Sequence, residues 1–225
     1  MPSCFFATDL HGKTDRYDKL LASIIRSRPA AVFLGGDLLP RSAFSAFQSG
    51  QADFVHDYLV PAFTRTRDAL GAGYPDVFLI LGNDDPRREE ESFVAAAADG
   101  IWHYIHGRKL LLGNFHIYGL AYVPPTPFML KDWEHYDVSR YVPPGCVSPE
   151  EGYRSVLAEE SEIKWATIQK DLASLVSQTG MIGQDLLARM SFRQGLKNPS
   201  RFLVRACCFH IGCSSSAVVR SISDA

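Results

Sequence analysis

Val77-Phe78-Leu79-Ile80-Leu81-Gly82-Asn83-Asp84-Asp85 runs five apolar residues into a glycine and three polar side chains. A short apolar run bounded by a turn signal reads as a strand buried on both faces. The same text occurs twice upstream. Cys4 to Ala7 leads into Thr8-Asp9-Leu10-His11, and Ala31 to Leu34 leads into Gly35-Gly36-Asp37. Between the strands, Tyr17 to Arg26 predicts a helix with Leu20, Leu21, Ile24 and Ile25 on one side. Phe54 to Leu70 predicts another, which Pro61 must kink or divide, and Arg87 to Ala98 a third. Such strand–loop–helix units build a mainly parallel sheet with helices packed on it. Right-handed crossovers then bring all three strand ends to one edge, where open α/β sheets place their ligands. Asp9, His11, Asp37 and Asn83 all fall on that edge.

The texture changes after Lys109. Lys109 to Leu112 and Phe115 to Tyr122 flank Gly113-Asn114, which reads as a tight hairpin opening a second, mixed sheet. Residues 123–149 are rich in Pro, Tyr and Trp, too long for a plain connection inside a domain. Helical composition resumes from Glu150 to Leu175. Met181 to Asn198 has a helical pattern weakened by Gly183 and Gly195, and Arg201 to Phe209 reads as a buried strand. The expectation is one α/β domain over residues 1–225, with 181–225 an atypical C-terminal segment.

Composition narrows the class. The chain has 225 residues, 46% hydrophobic and 21% charged, ordinary values for a globular protein. A domain of that size buries roughly 70% of its unfolded surface and needs no staples. The net charge of -2 gives no bulk signal for nucleic acid or an acidic membrane. Five cysteines, three of them crowded at Cys207, Cys208 and Cys213, do not form a secreted disulfide framework. With no apolar run of membrane length, the expected compartment is a reducing cytoplasm.

The polar residues at the edge have a common chemistry. Asp9-x-His11 places two ligands on the same side of an extended backbone, where side chains repeat every second residue. Carboxylate, imidazole and amide oxygen together suit Mn²⁺, Fe or Zn²⁺ better than an all-thiolate site. A carboxylate such as Asp37 can bridge two cations about 3.5–4 Å apart, and such a pair can clamp a phosphoryl group.

Asp9-Leu10-His11, Gly36-Asp37 and Gly82-Asn83-Asp84-Asp85, in this order and spacing, resemble the first three motifs of the calcineurin-like metallophosphoesterases. The resemblance covers residues 3 to about 123. It implies a sandwich of two mixed sheets flanked by helices, with two divalent metal ions, manganese foremost, at the strand ends. In that family pattern Asp9 and His11 hold the first metal, Asp37 bridges, and Asn83 holds the second. A hydroxide activated between the metals attacks phosphorus in line, hydrolysing a phosphate ester.

The chain departs from the family in two places. Asp84 stands where the third motif has a histidine near the leaving group. Asp84 can take that role if burial or a neighbouring carboxylate such as Asp85 raises its pKa. Branches of the family with that histidine replaced tend toward phosphodiester substrates, so the resemblance favours a phosphodiester. The family also has a later histidine and a Gly-His-x-His near the end. His210, after the predicted strand of residues 201–209, is the candidate for the first, and no Gly-His-x-His follows. Each metal then keeps about three protein ligands, an open site that can still be catalytic. The expectation is a C-terminus that is truncated, diverged or out of frame. A rival reading is a non-catalytic member of the same fold that binds protein partners, or an inactive truncated form.

Other motifs carry less. Cys207-Cys208-x-His210-x-x-Cys213 gathers four zinc-type ligands, but adjacent strand cysteines point to opposite faces. Gly12-Lys13-Thr14 lacks the earlier glycine of a phosphate-binding loop. His116, and the cluster of Trp102, His103, Tyr104 and His106, read as packing. Asp132-Trp133-Glu134-His135 reads equally well as a pocket-shaping loop or a loop pinned by Trp133 and Phe128.

Overall fold

A computed structural model describes residues 3–40 and 53–177, together with the backbone of residues 184–189 and 219–221. The chain divides into two units, Met1–Tyr104 with Ser214–Ala225, and Ile105–Cys213.

The first unit is built on β1 (Cys4–Ala7), β2 (Ala31–Gly35), β3 (Asp76–Ile80) and β4 (His103–Tyr104). They are joined in the order β4-β3-β2-β1, with a last strand, Val219–Ser221, beyond β1. Every pairing in this sheet is parallel, so it is not one of two mixed sheets. The register Cys4↔Ala31↔Asp76 levels the three long strands and brings their C-terminal ends to one edge. Ala31, Val32, Leu34, Val77, Phe78, Leu79 and Ile80 are all buried. That burial explains why these strands read as continuous apolar runs rather than alternating ones.

Helix α1 (Thr14–Ser27) buries Tyr17, Leu20, Leu21 and Ile24, each worth about 1.5–3 kcal/mol of apolar burial. Ile25 is left 46% exposed, against expectation. One step of 100° past Ile24 carries it off the buried stripe. Arg28, left-handed at φ 43°, caps the helix by donating its N–H to Ile24 O. Pro61 divides the predicted helix of residues 54–70. A π-helical stretch, Val55–Leu59, comes first, and α2 (Val60–Leu70) begins with Pro61 in its first turn. A helix start leaves its first N–H groups unbonded, so a residue without one belongs there. A 3₁₀ turn, Arg87–Glu89, leads into α3 (Glu90–Ala98).

The second unit is a mixed sheet. β5 (Arg108–Leu112) and β6 (Phe115–Leu120) form the expected hairpin, with Leu112 opposite Phe115 and Gly113 at φ 58°. β7 (Gln184–Arg189) then pairs parallel to β6. It lies inside the stretch expected to be helical, so strand pairing with β6 overrides the local pattern there. The helices α4 (Glu160–Trp165) and α5 (Ile168–Ser177) start ten residues later than composition predicts. Residues 201–209 lie outside the described residues. No helix among the described residues is long and apolar enough to cross a membrane.

Candidate metal centre

Three loops meet at the C-terminal edge of the parallel sheet. They follow β1, β2 and β3, and carry Asp9 with His11, Asp37, and Asn83 to Asp85. Backbone bonds stitch the first to the second. Asp9 N donates to Gly36 O at 3.2 Å, His11 N to Asp37 O at 2.8 Å, and Gly12 N to Leu38 O at 2.9 Å. Two side chains of α1 reach the same loops. The Tyr17 hydroxyl donates to Leu38 O at 2.8 Å, and Arg16 Nη1 to Asp9 O at 2.6 Å. The second and third loops touch through glycine. A Cβ on Gly36 would lie 2.7 Å from Gly82 Cα, and one on Gly82 would lie 2.3 Å from Asp37 Oδ1. The glycines before Asp37 and Asn83 are therefore steric requirements of the loop contact.

Asp9 and His11 do not lie on extended backbone, as the strand period predicts. β1 ends at Ala7, and Asp9, His11 and Asp37 all take left-handed backbone, with φ of 58°, 48° and 54°. Such a conformation costs about 1–2 kcal/mol per L-residue and collects where a site needs it. The only other non-glycine with positive φ among the described residues is the helix cap Arg28. The stitching bonds hold the strain. Its result is convergence: one ligand atom each from Asp9, His11 and Asp37 lie within 4.8 Å of one another. A divalent ion sits about 2.0–2.2 Å from each such ligand atom, so a group of this size could hold one. His11 Nε2 is 3.8 Å from Asp9 Oδ1, and Nδ1 is 3.8 Å from Asp84 Oδ2, too far for hydrogen bonds.

The electrostatics point the same way. Asp37 is 4% exposed and accepts a hydrogen bond from Asp84 N at 3.0 Å. Burial, then the Asp85 carboxylate, push Asp37 up to about 8; Asp84 and Asp9 add to the rise, and the Asp84 N–H opposes it. Burial first, and the crowded acids after it, disfavour the Asp37 carboxylate, and a divalent cation would offset that cost. Asp9, His11 and Asp37 fit such an ion in both donor chemistry and placement.

The other predicted residues divide. Asn83 is buried beside this cluster, and its Nδ2 donates to Asp84 Oδ1 at 3.1 Å. Asp84 enters through both its backbone N–H and its carboxylate. His210 lies outside the described residues, as do Cys207, Cys208 and Cys213. Sequence reasoning treated Asp85 only as a neighbour of Asp84. It is fully buried and accepts Leu38 N at 3.0 Å, Leu39 N at 2.8 Å and Gly82 N at 2.8 Å. Burial raises its pKa to about 6 against the pull of those three N–H groups. The only signal in the sequence was a second acid in a row, directly after Asp84, in the turn that follows a strand.

In the second unit, Asp132-Trp133-Glu134-His135 turns inward. Trp133 and Glu134 are fully buried, Asp132 is 2% exposed and His135 is 5% exposed. Glu134 Oε2 takes Lys131 Nζ at 2.7 Å and Thr126 N at 3.0 Å. Asp132 Oδ1 takes Ser155 N at 2.7 Å, and His135 Nδ1 lies 2.7 Å from Asp171 Oδ2. These contacts make the segment an internal brace; Phe128, the other expected pin, is half exposed. Trp102 packs on Phe63 and Phe93, His103 stacks on Phe78, and His106 accepts Ala121 N at 3.0 Å, all packing roles.

No family model and no curated protein matches the chain. Among solved structures, one crystal structure is similar at 18% identity over 56% of this chain, with a TM-score of 0.37; the chain spans 55% of that structure's length. TT1561 of Thermus thermophilus is similar at 14% identity over 86% of this chain and 70% of its own, with a TM-score of 0.48.

Proposed function

We propose that the chain is a metal-dependent phosphoesterase of the calcineurin-like kind, acting on a phosphodiester in preference to a bulky phosphoprotein. One observation carries this reading. Asp9, His11 and Asp37 converge within 4.8 Å at the sheet edge, each on left-handed backbone. Two of the three motifs that resemble the family carry these side chains, and the third packs on the second where Gly82 meets Gly36.

In this reading Asp9, His11 and Asp37 would hold one divalent cation, Mn²⁺ foremost, and Asp37 and Asn83 would be ligands of a second. When bound, such ions neutralise phosphoryl charge and acidify water. The chain's own contribution is placement. The backbone bonds from Asp9 and His11 into the second loop hold the ligands before any ion arrives, so little reorganisation is left for binding. Asp84, part-buried with Oδ2 3.8 Å from His11 Nδ1, is the group this reading assigns to the leaving oxygen. The rival, a non-catalytic binding protein, draws on large apolar side chains exposed in the second unit, Tyr141, Leu157 and Trp165 among them.

Hydrolysis of a chromogenic phosphodiester decides between them. With Mn²⁺ the wild type should turn over; with EDTA it should not. Asp37→Asn should lose about 10³-fold, the equivalent of several kcal/mol of charge stabilisation. A well-folded protein with no Mn²⁺-dependent turnover would leave the non-catalytic reading.

A further inference from the structure

Asp85 is the most enclosed acid at the edge and is not a member of the converging ligand set. Its two oxygens divide three N–H groups between the second and third loops. Oδ1 takes Leu39 N; Oδ2 takes Leu38 N and Gly82 N. Leu38 and Leu39 directly follow Asp37, and Gly82 directly precedes Asn83. One carboxylate thus joins the backbone on the far side of one ligand to the backbone on the near side of another, tens of residues on in the chain.

We propose that Asp85 is a positioning residue that clamps the two loops, so that Asp37 and Asn83 are presented together to the cation. The clamp rests on the cation reading for its purpose but on the three hydrogen bonds for its existence. A carboxylate has acceptor capacity for three donors with none facing a like group. An amide has one oxygen, so Asp85→Asn must turn its NH₂ toward Leu39 N, or toward Leu38 N and Gly82 N. The side-chain volume is unchanged. The loss is confined to the clamp, and residues that orient ligands typically control 10–100-fold in metal affinity.

Amide hydrogen exchange of the metal-free protein, with Mn²⁺ calorimetry, tests this. In the wild type the Leu38, Leu39 and Gly82 amides should exchange as slowly as those of β2 and β3. In Asp85→Asn either Leu39, or Leu38 with Gly82, should exchange about tenfold faster or more, with the strand amides unmoved. Mn²⁺ affinity should fall about 10–100-fold. A merely structural role would instead speed exchange throughout the unit. Fast exchange of the three amides in the wild type overturns the clamp even if the variant cannot be folded. Wild-type Mn²⁺ binding that Asp85→Asn leaves within about twofold overturns the positioning role alone. No Mn²⁺ binding by the wild type overturns the cation reading, and the positioning role with it.

Discussion

Two buried polar clusters in this chain look alike in sequence and differ in how their charge is balanced. In the second unit Glu134 is met by the Lys131 ammonium and the Thr126 hydroxyl and N–H, while Asp132 is met by Ser155. That cluster is complete in itself. At the sheet edge of the first unit, Asp37 is surrounded by Asp85, Asp84 and Asp9, and is pushed up to about 8. Asp9, His11 and Asp37 are carried there on left-handed backbone. Buried charge matched by protein groups reads as architecture. Buried charge of one sign, assembled at a cost in backbone conformation, reads as a site for something positive.

The contrast can be broken at either end. The largest effect should come from Glu134→Ala, which strands the Lys131 ammonium in the core. It should cost about 3–5 kcal/mol in urea unfolding, and a loss below about 1 kcal/mol would mean the brace is no brace. Next, Mn²⁺ at a hundred times its dissociation constant should stabilise the wild type by about 2.7 kcal/mol, read as a rise in Tm. Asp37→Asn should show no rise, and an unmoved wild type would remove the cation from the picture. The smallest effect is the sharpest. In EDTA, Asp37→Asn replaces a carboxyl whose ionised form burial disfavours with a neutral amide whose oxygen still accepts Asp84 N, so its urea midpoint should match or exceed the wild type's. A loss as large as that of Glu134→Ala would put both clusters in one structural class.

Much of the frame was legible beforehand. Cys4–Ala7 is a strand with the predicted bounds, and the other two predicted strands are off by one residue at one or both ends. Strands buried on both faces leave continuous apolar runs, which survive inspection of sequence alone. The hairpin at Gly113-Asn114 was legible for a similar local reason. β7 was not, because residues 184–189 become a strand through pairing with β6, more than sixty residues earlier. The aromatic loop left two readings open, and the burial of Trp133 favours the pinned one. Acids and a histidine in a Pro-rich stretch carry no mark of whether Lys131, Ser155 and Asp171 will come to meet them.

The sequence by itself determined that three apolar strands end in polar turns at one edge of a parallel sheet, because strand type and turn residues are local properties. It placed Asp9, His11, Asp37 and Asn83 on that edge for the same reason. Only the tertiary structure decided that Asp9, His11 and Asp37 adopt left-handed backbone, that Gly36 must pass against Gly82, and that Asp85 spans the two loops. Each of these depends on contacts between segments tens of residues apart, which no local pattern encodes.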